Sequence, residues 1–144
     1  MSIKIITDSA SDILAGQYDE VTVIPMPITF GDTEYQDGVN LSRNEFFEKL
    51  IESDVLPTTS QINPATFEEY FEKIKADGDE ALVLLMSSDL SGTYQSGCIA
   101  AEDYEDCVTV MDTKTVCIGE HIIIKKAVDM IRNGATRQEI ADMV

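Results

Sequence analysis

Apolar and polar positions alternate along this chain in a pattern typical of strands separated by helices. Short apolar runs rich in β-branched residues predict strands over residues 3–8, 81–86 and 108–112. The run 81–86 is apolar on both faces, which favours a central strand of a parallel sheet that is covered on two sides. Residues 21–30 form a fourth run, and two prolines interrupt it, so we expect an edge strand or one that leaves the sheet midway.

Amphipathic segments between these runs predict helices. The capping box of Ser42 with Glu45 opens the first helix, and Asn63 followed by Pro64 opens the second. Two further helices are predicted over residues 94–104 and 116–133. Because strands and helices alternate, we predict an α/β fold in which a mostly parallel central sheet carries helices on both faces.

The end of the chain carries a second capping box. Thr136 and Glu139 predict a helix start, yet the 144-residue chain stops at Val144. A helix this short forms only with a surface to pack against. We expect either that it docks on the sheet or that the chain is the front part of something longer. The predicted organisation is an α/β domain over residues 1–134, with residues 135–144 starting a helix towards an absent second domain.

The composition narrows the class of partner. Asp and Glu number 27 against 10 Lys and Arg, which gives a formal net charge of −17. Nucleic acids and anionic membranes are bound mainly through Lys and Arg, so we expect neither as a partner. No apolar run approaches the ~20 residues of a bilayer span, and the N-terminus lacks a signal-peptide pattern, so we predict a cytoplasmic protein.

Nothing in the sequence predicts a metal ion or a cofactor. The spacing of Cys98, Cys107 and Cys117 fits neither a disulfide framework nor a zinc site. The chain also has no Walker or GxGxxG motif for a nucleotide. We expect three buried thiols that pack as small apolar side chains.

Hydroxyl-rich loops are predicted at one edge of the sheet. In parallel sheets, ligands bind beyond the carboxyl ends of the strands. The loops expected there are rich in hydroxyls and carboxylates, and they span residues 8–12, 57–61, 87–93 and 112–115. This edge is therefore the predicted place for a ligand.

The loop Ser91-Gly92-Thr93 is a candidate site because it leads into a predicted helix. The serine hydroxyl, the first backbone N–H groups and the positive end of the helix dipole together suit an anion or a carboxyl group. Gly92 allows a ligand to approach the backbone closely. The alternative is that Ser91 only caps its own helix, as serines at helix starts commonly do.

The distribution of cations favours a carboxyl group over a phosphate. No Lys or Arg lies between Lys49 and Lys73 or between Lys75 and Lys114, and the second gap holds nine acids. Phosphate sites usually recruit Lys, Arg or a metal as well as backbone amides. A singly charged or protonated carboxyl group suits a pair of hydroxyls better.

The competing interpretation is an enzyme, a small hydrolase or phosphotransfer protein that uses Asp8 or Ser91. His121 is the one histidine available to a Ser-His-Asp triad, and Ser91 lacks the GxSxG motif. Asp8 follows a strand, as in enzymes that form an aspartyl phosphate, but Ala10 stands where those enzymes need a second acid. We expect Asp8 to stabilise its loop as an acceptor for Ser and backbone donors.

Five blocks of residues, in one order, resemble the DegV family of fatty-acid-binding proteins. The blocks are residues 5–12, residues 23–28 with Asp37-Gly38, residues 57–61, residues 87–96, and Asp112-Thr113 ahead of Gly119. They span nearly the whole chain, and they include both hydroxyl loops that lead towards helices.

The resemblance implies a carrier that holds one long-chain fatty acid in a buried tunnel and is not itself an enzyme. By position, Thr59 and Ser91 would hold the carboxyl group. The resemblance also implies a separate fatty acid kinase that acts in trans on the presented carboxylate. The cation-poor loops agree with this, since hydroxyls hold a carboxylate without quenching its nucleophilicity. The other residues implied at the site are Gly92 and Thr93, with Asp8, Ser9 and Ser60 in support.

The resemblance also implies a missing part, since members of the family carry a second domain that closes the tunnel. An open tunnel wall exposes apolar surface, so we expect self-association through it. Cys117 stands where similar proteins carry a serine, and Glu120 and His121 replace small or polar residues after Gly119. No ligand contact is therefore assigned to this last loop.

Overall fold

The computed structural model describes residues 2–144, which contain seven strands and five α-helices. The strands are β1 (Ile3–Asp8), β2 (Val21–Ile24), β3 (Pro27–Phe30), β4 (Thr33–Gln36), β5 (Thr58–Thr59), β6 (Glu80–Leu85) and β7 (Val108–Asp112). The helices are α1 (Arg43–Glu52), α2 (Pro64–Asp77), α3 (Thr93–Ala101), α4 (Ile118–Arg132) and α5 (Arg137–Ala141). A 3-10 turn at Ser9–Ser11 follows β1. The predicted α/β fold class is confirmed.

A parallel sheet of four strands, in the order β2-β1-β6-β7, forms the centre of the fold. β1 lies between β2 and β6, with Ile5 opposite both Val21 and Leu82. Residues 81–85 of β6 are all buried, which confirms the predicted central strand. Since the four strands run the same way, the loops that follow them meet at one edge, the carboxyl edge of the sheet.

Helices cover both faces of this sheet, as predicted. Side chains alternate along a strand, so Ile5 and Ile6 face opposite sides. Ile6 packs in a core with Phe67 and Phe71 of α2 and with the two buried alanines of α3. Ile5 packs in a second core with the buried apolar residues of α4 and α5. The sheet therefore separates α3 from α4.

The short helix α5 docks on the second core. Both halves of the predicted capping box of Thr136 with Glu139 are present. Ile140 is fully buried, and Arg137 Nε lies 3.5 Å from Glu80 Oε1. Docking is one of the two outcomes expected for this segment, while a path from it into a second domain stays a prediction.

The chain leaves the parallel sheet after β2, the edge strand. Pro27 begins β3, which belongs to a separate antiparallel sheet in the order β4-β3-β5. Both expectations for residues 21–30 are thereby confirmed. The expected loop over residues 57–61 is wrong at Thr58–Thr59, because these residues pair with β3 as β5, with Thr59 opposite Ile28.

The prediction of three buried thiols is confirmed for one cysteine only. Cys107 is buried and Cys98 is half-buried, but Cys117 is exposed. Cys117 precedes α4 in a turn at the carboxyl edge, where its N–H donates to the Ala10 carbonyl at 3.0 Å. Cys117 itself belongs to neither apolar core, which leaves its side chain exposed.

Within residues 2–144, the structure contains no cluster of three or more side chains suited to hold a metal ion. The same residues include no helix with the length and apolar character needed to cross a membrane.

Candidate ligand-binding site at the carboxyl edge

Asp8 ties two loops of the carboxyl edge together. Its side chain is fully buried, and its Oδ1 and Oδ2 accept the backbone N–H groups of Ala10 and Met86, each at 2.9 Å. Burial raises the pKa of Asp8, while these two backbone donors act in the opposite direction. The predicted loop-stabilising role is confirmed for backbone donors, whereas the Ser11 hydroxyl donates to the main-chain carbonyl of Asp8 instead. Since both oxygens are enclosed and engaged, this geometry does not suit a nucleophile.

Ser9 links the same loop to the start of the antiparallel sheet. Its hydroxyl oxygen accepts the backbone N–H of Met26 at 3.1 Å, between β2 and β3. The hydroxyl therefore helps to fix the point at which the chain leaves the parallel sheet.

Ser91 and Thr93 form a compact hydroxyl pair at the start of α3. The oxygen Oγ of Ser91 accepts the backbone N–H of Thr93 at 3.2 Å and lies 3.0 Å from Thr93 Oγ1. Gly92, the N-cap of α3, makes no side-chain capping bond. Ser91 therefore precedes the N-cap and does not cap the helix in the expected way, although its hydroxyl accepts the N–H of the first helical residue. The half-buried hydroxyl keeps hydrogen-bonding capacity beyond this bond.

The segment after β5 lies directly against this hydroxyl pair. The backbone N–H of Ile62 donates to Thr93 Oγ1 at 3.2 Å. Gln61 Nε2 donates to Ser96 Oγ at 3.2 Å, and its Oε1 occupies the space where a side chain on Gly92 would begin. The two loops that carry Thr59 and Ser91 are thus joined, although they are far apart in sequence.

A cleft of about 320 Å³ lies between β3, the 3-10 turn and α1. Its volume falls at the small end of ligand pockets, which span roughly 300–1,000 Å³. Ser9 is the one predicted site residue that lines it, and Arg43 lies there 3.5 Å from Asp12. The apolar lining comes from segments distant in sequence, namely Leu14, Val23, Ile28, Val39, Phe46 and Phe47.

Helix α1 forms the outer wall of the cleft and has no buried residue. Phe46 packs against Phe30 of β3 with the ring centroids 5.6 Å apart. Phe47 and Ile51, by contrast, are 52% and 84% exposed. The sequence predicts the apolar stripe on this helix, but it does not predict that the stripe stays uncovered. Uncovered apolar surface of this kind marks a ligand or partner site.

Thr59 stands beside the cleft. Residues directly opposite in an antiparallel pair have their side chains on the same face of the sheet. Thr59 lies opposite Ile28, and Ile28 lines the cleft. The neighbouring Thr58 points to the other face. Thr59 is exposed, so its hydroxyl is open to the solvent on the face of the sheet that carries the cleft.

The cation that contacts the loop before α3, Lys114, is already paired with a carboxylate. Lys114 Nζ lies 2.7 Å from Asp112 Oδ2. Although burial raises the pKa of Asp112, hydrogen bonds from Lys114 and Ser88 lower it to about 2. Lys114 is therefore engaged by Asp112, and Arg43, which lines the cleft, lies 3.5 Å from Asp12, so both cations already face a carboxylate.

His121 lies away from Ser91. It belongs to α4, whereas Ser91 precedes α3 on the opposite face of the sheet. Its ring packs edge-on against Tyr18 with the centroids 6.4 Å apart. Hydrogen bonds between His121 and Ser91 are absent from the described part of the chain, so the geometry gives no support to a Ser-His pair.

Glu120 is a buried acid, and the sequence does not predict its burial. The side chain is fully buried, and its Oε1 accepts the Thr7 hydroxyl at 3.1 Å. The other oxygen has no hydrogen-bond partner among residues 2–144. Burial and the negative charge of Asp8 raise the pKa of Glu120 to about 9. A carboxyl group in this environment is neutral at pH 7.

Comparison with known proteins assigns this chain to a family. The family model described as "Uncharacterised protein, DegV family" matches residues 2–144. A DegV domain-containing protein of Clostridium perfringens is 39% identical over 142 residues, which cover 96% of this chain and 50% of that protein. The chain spans about half the length of the curated relatives it matches.

Solved structures show the same fold. A DegV family protein from Thermus thermophilus that binds fatty acid superposes with a TM-score of 0.87 at 30% identity, covering 97% of this chain and 51% of that one. A stearic-acid-binding protein from Eubacterium ventriosum gives a TM-score of 0.85 at 28% identity, covering 97% and 50%. The family model matches residues 2–144, and the solved structures share the fold. The chain therefore belongs to the DegV family.

Proposed function

We propose that this chain binds a long-chain fatty acid, with the carboxyl group at Thr59 and Ser91 and the acyl chain in the cleft beside α1. The observation that carries the proposal is the pairing of Thr59 with Ile28, which sets a hydroxyl beside an apolar cleft. The similar proteins from Thermus thermophilus and Eubacterium ventriosum bind fatty acids, which supports it.

The hydrogen-bond arrangement of Ser91 suits a carboxylate. A hydroxyl has one proton and two acceptor positions. Thr93 Oγ1 accepts from Ile62 N, and its own proton can then point to Ser91 Oγ. Ser91 Oγ would accept that proton and the Thr93 N–H, which leaves the Ser91 proton free to donate to a ligand oxygen. In this arrangement Thr93 orients the Ser91 hydroxyl, and Gly92 stands between the two residues.

The protein supplies binding and no catalytic group in this proposal. Asp8 is enclosed by backbone donors, and His121 packs against Tyr18 and makes no hydrogen bond to Ser91 among residues 2–144. Hydroxyls leave a carboxylate oxygen able to react, so a separate fatty acid kinase would phosphorylate the bound acid in trans. Asp8, Ser9 and Ser60 would support the loops, and the complex would operate in the cytoplasm.

Extraction of the purified protein with organic solvent, followed by mass spectrometry, tests the proposal directly. We expect a long-chain fatty acid in the extract, or its uptake from added acid when none has been retained. A protein that neither retains nor takes up such an acid would contradict the proposal. Hydrolysis of an ester or a phosphoester above the background rate would instead favour an enzyme.

Removing either hydroxyl should weaken binding. We expect Thr59→Ala and Ser91→Ala each to cost about 0.5–3 kcal/mol of binding free energy, since each removes a hydrogen bond to a charged group. Titration with a fluorescent fatty acid measures the loss. Thr58→Ala is the matched control, because Thr58 points to the other face of the same two-residue strand and should bind normally.

We further propose that a second protein domain covers the exposed apolar face of α1. Relatives are about twice as long, and residues 135–144 would lead towards the second domain that covers this face. Where no second domain covers it, this face should self-associate through Phe47, Ile51, Val55 and Leu56, all more than half exposed.

Placing a charge on this apolar face should shift the association equilibrium towards the monomer. Ile51→Glu should lower the association constant roughly tenfold, because a charge replaces apolar surface that association would bury. Sedimentation velocity at several concentrations measures the shift. Ile122→Glu, on exposed surface of α4, is the control, and equal behaviour of the two variants would contradict the proposed interface.

A further inference from the structure

Gln61 joins the two loops that carry the proposed carboxyl ligands. Its Nε2 donates to Ser96 Oγ at 3.2 Å, and Ser96 is 2% exposed, so the anchor on α3 is firmly held. The next residue, Ile62, donates its backbone N–H to the buried Thr93 Oγ1. Two successive residues therefore fasten the segment after β5 to the first turn of α3.

Gly92 makes room for this contact. Its φ of −73° and ψ of 0° are open to any residue, so the backbone conformation does not require glycine. A Cβ atom at position 92 would instead overlap the side-chain amide of Gln61. What requires glycine here is the close packing of Gln61 on the main chain.

We propose that Gln61 is a positioning residue that sets the separation of the Thr59 and Ser91 hydroxyls to fit one carboxylate. The inference rests on the proposed function, because it concerns the same head-group site. Gln61 is two residues from Thr59 and packs on the neighbour of Ser91, so a shift of its amide moves one loop against the other. The hydroxyls themselves remain intact when this contact is lost.

Two variants disturb the contact from opposite sides. Gln61→Ala removes the amide, and Gly92→Ala displaces it by adding one methyl group while leaving Gln61, Thr59 and Ser91 in place. We expect each to weaken binding of a fluorescent fatty acid about three- to tenfold, the equivalent of one lost hydrogen bond. The double variant should bind no more weakly than either single one, because both changes act on one contact. Gln95→Ala, an exposed glutamine on α3, is the matched control.

A coupling measurement separates positioning from general destabilisation. If Thr59 and Ser91 hold one carboxylate, Thr59→Ala and Ser91→Ala should be non-additive in the native background. In the Gln61→Ala background the two effects should become additive, while thermal unfolding without ligand stays near that of the Gln95→Ala control. A loss of coupling of this kind is not expected from a merely structural residue.

The outcomes distinguish this inference from the proposed function. A native protein that binds no fatty acid overturns the proposed function, and the inference falls with it. A native protein that binds, with Gln61→Ala and Gly92→Ala binding equally well, overturns the inference alone. If Gln61→Ala does not fold, Gly92→Ala decides by itself, since it removes no hydrogen-bonding group.

Discussion

Replacement of Asp8 by alanine is expected to destabilise the protein by about 2–5 kcal/mol. The carboxylate is the acceptor for the backbone N–H groups of Ala10 and Met86, and each buried donor left without a partner costs about 1–3 kcal/mol. The change also unties the loop after β1 from the loop after β6. Denaturation with urea at pH 7, followed by circular dichroism, measures the loss.

Two further variants make the Asp8 experiment decisive. Asp19→Ala removes an exposed aspartate from the same part of the chain and should change the stability by less than about 0.5 kcal/mol. Asp8→Asn keeps one acceptor oxygen, but its amide NH₂ group faces the second backbone N–H, which is also a donor. An intermediate loss of stability is therefore expected. Native stability of Asp8→Asn, together with loss of a measurable turnover, would contradict the structural role and favour a catalytic one.

Much of the fold could be predicted because its strands carry their signal in their own residues. The run 81–86 is apolar on both faces and is buried on both faces. Pro25 and Pro27 mark the place where the chain leaves the sheet, because neither can donate to a ladder. Such local rules predict elements and their ends, and they are confirmed here for most of the parallel sheet.

The unpredicted parts depend on partners distant in sequence. Thr58–Thr59 are polar and exposed, and they become a strand only through backbone pairing with β3. The cleft depends on the distance of α1 from β3, which no pattern within α1 encodes. Gln61 looks like an ordinary loop residue until Gly92 and Ser96 come to lie beside it. The sequence therefore predicts the hydroxyls of the candidate site, but not the geometry that holds them.

Glu120 shows the same limit for charge. An acid in the first turn of a helix is usually exposed and stabilised by the helix dipole. Here the first turn of α4 lies over β1, so the Glu120 side chain is enclosed beside Thr7 and Asp8. Burial favours its neutral form because a charge in this place has neither water nor a cation beside it.

Replacement of Glu120 by glutamine is expected to stabilise the protein at pH 8 by about 2–4 kcal/mol. Below about pH 4.5 the carboxyl group is protonated in the folded and the unfolded chain alike. Between pH 4.5 and about 9 it is ionised only in the unfolded chain, so unfolding releases a proton and native stability falls as the pH rises. Above about pH 9 the group is ionised in both states and the loss is complete. The introduced amide is neutral throughout, so the variant avoids this loss and still accepts the Thr7 hydroxyl.

Urea denaturation of the two proteins at pH 5, 6.5 and 8 measures the effect as a difference that grows with pH. Asp112, whose pKa is lowered to about 2, contributes stability that is lost only as the pH falls from about 3.8 to 2, so it does not enter this window. Glu69→Gln, at an exposed position on α2, is the control and should change the stability by less than about 0.5 kcal/mol. If Glu120→Gln behaves like Glu69→Gln, the carboxyl group of Glu120 is already ionised in the folded protein. If Glu120→Gln is more stable than the native protein and still binds fatty acid, then Glu120 destabilises the fold and is not part of the head-group site.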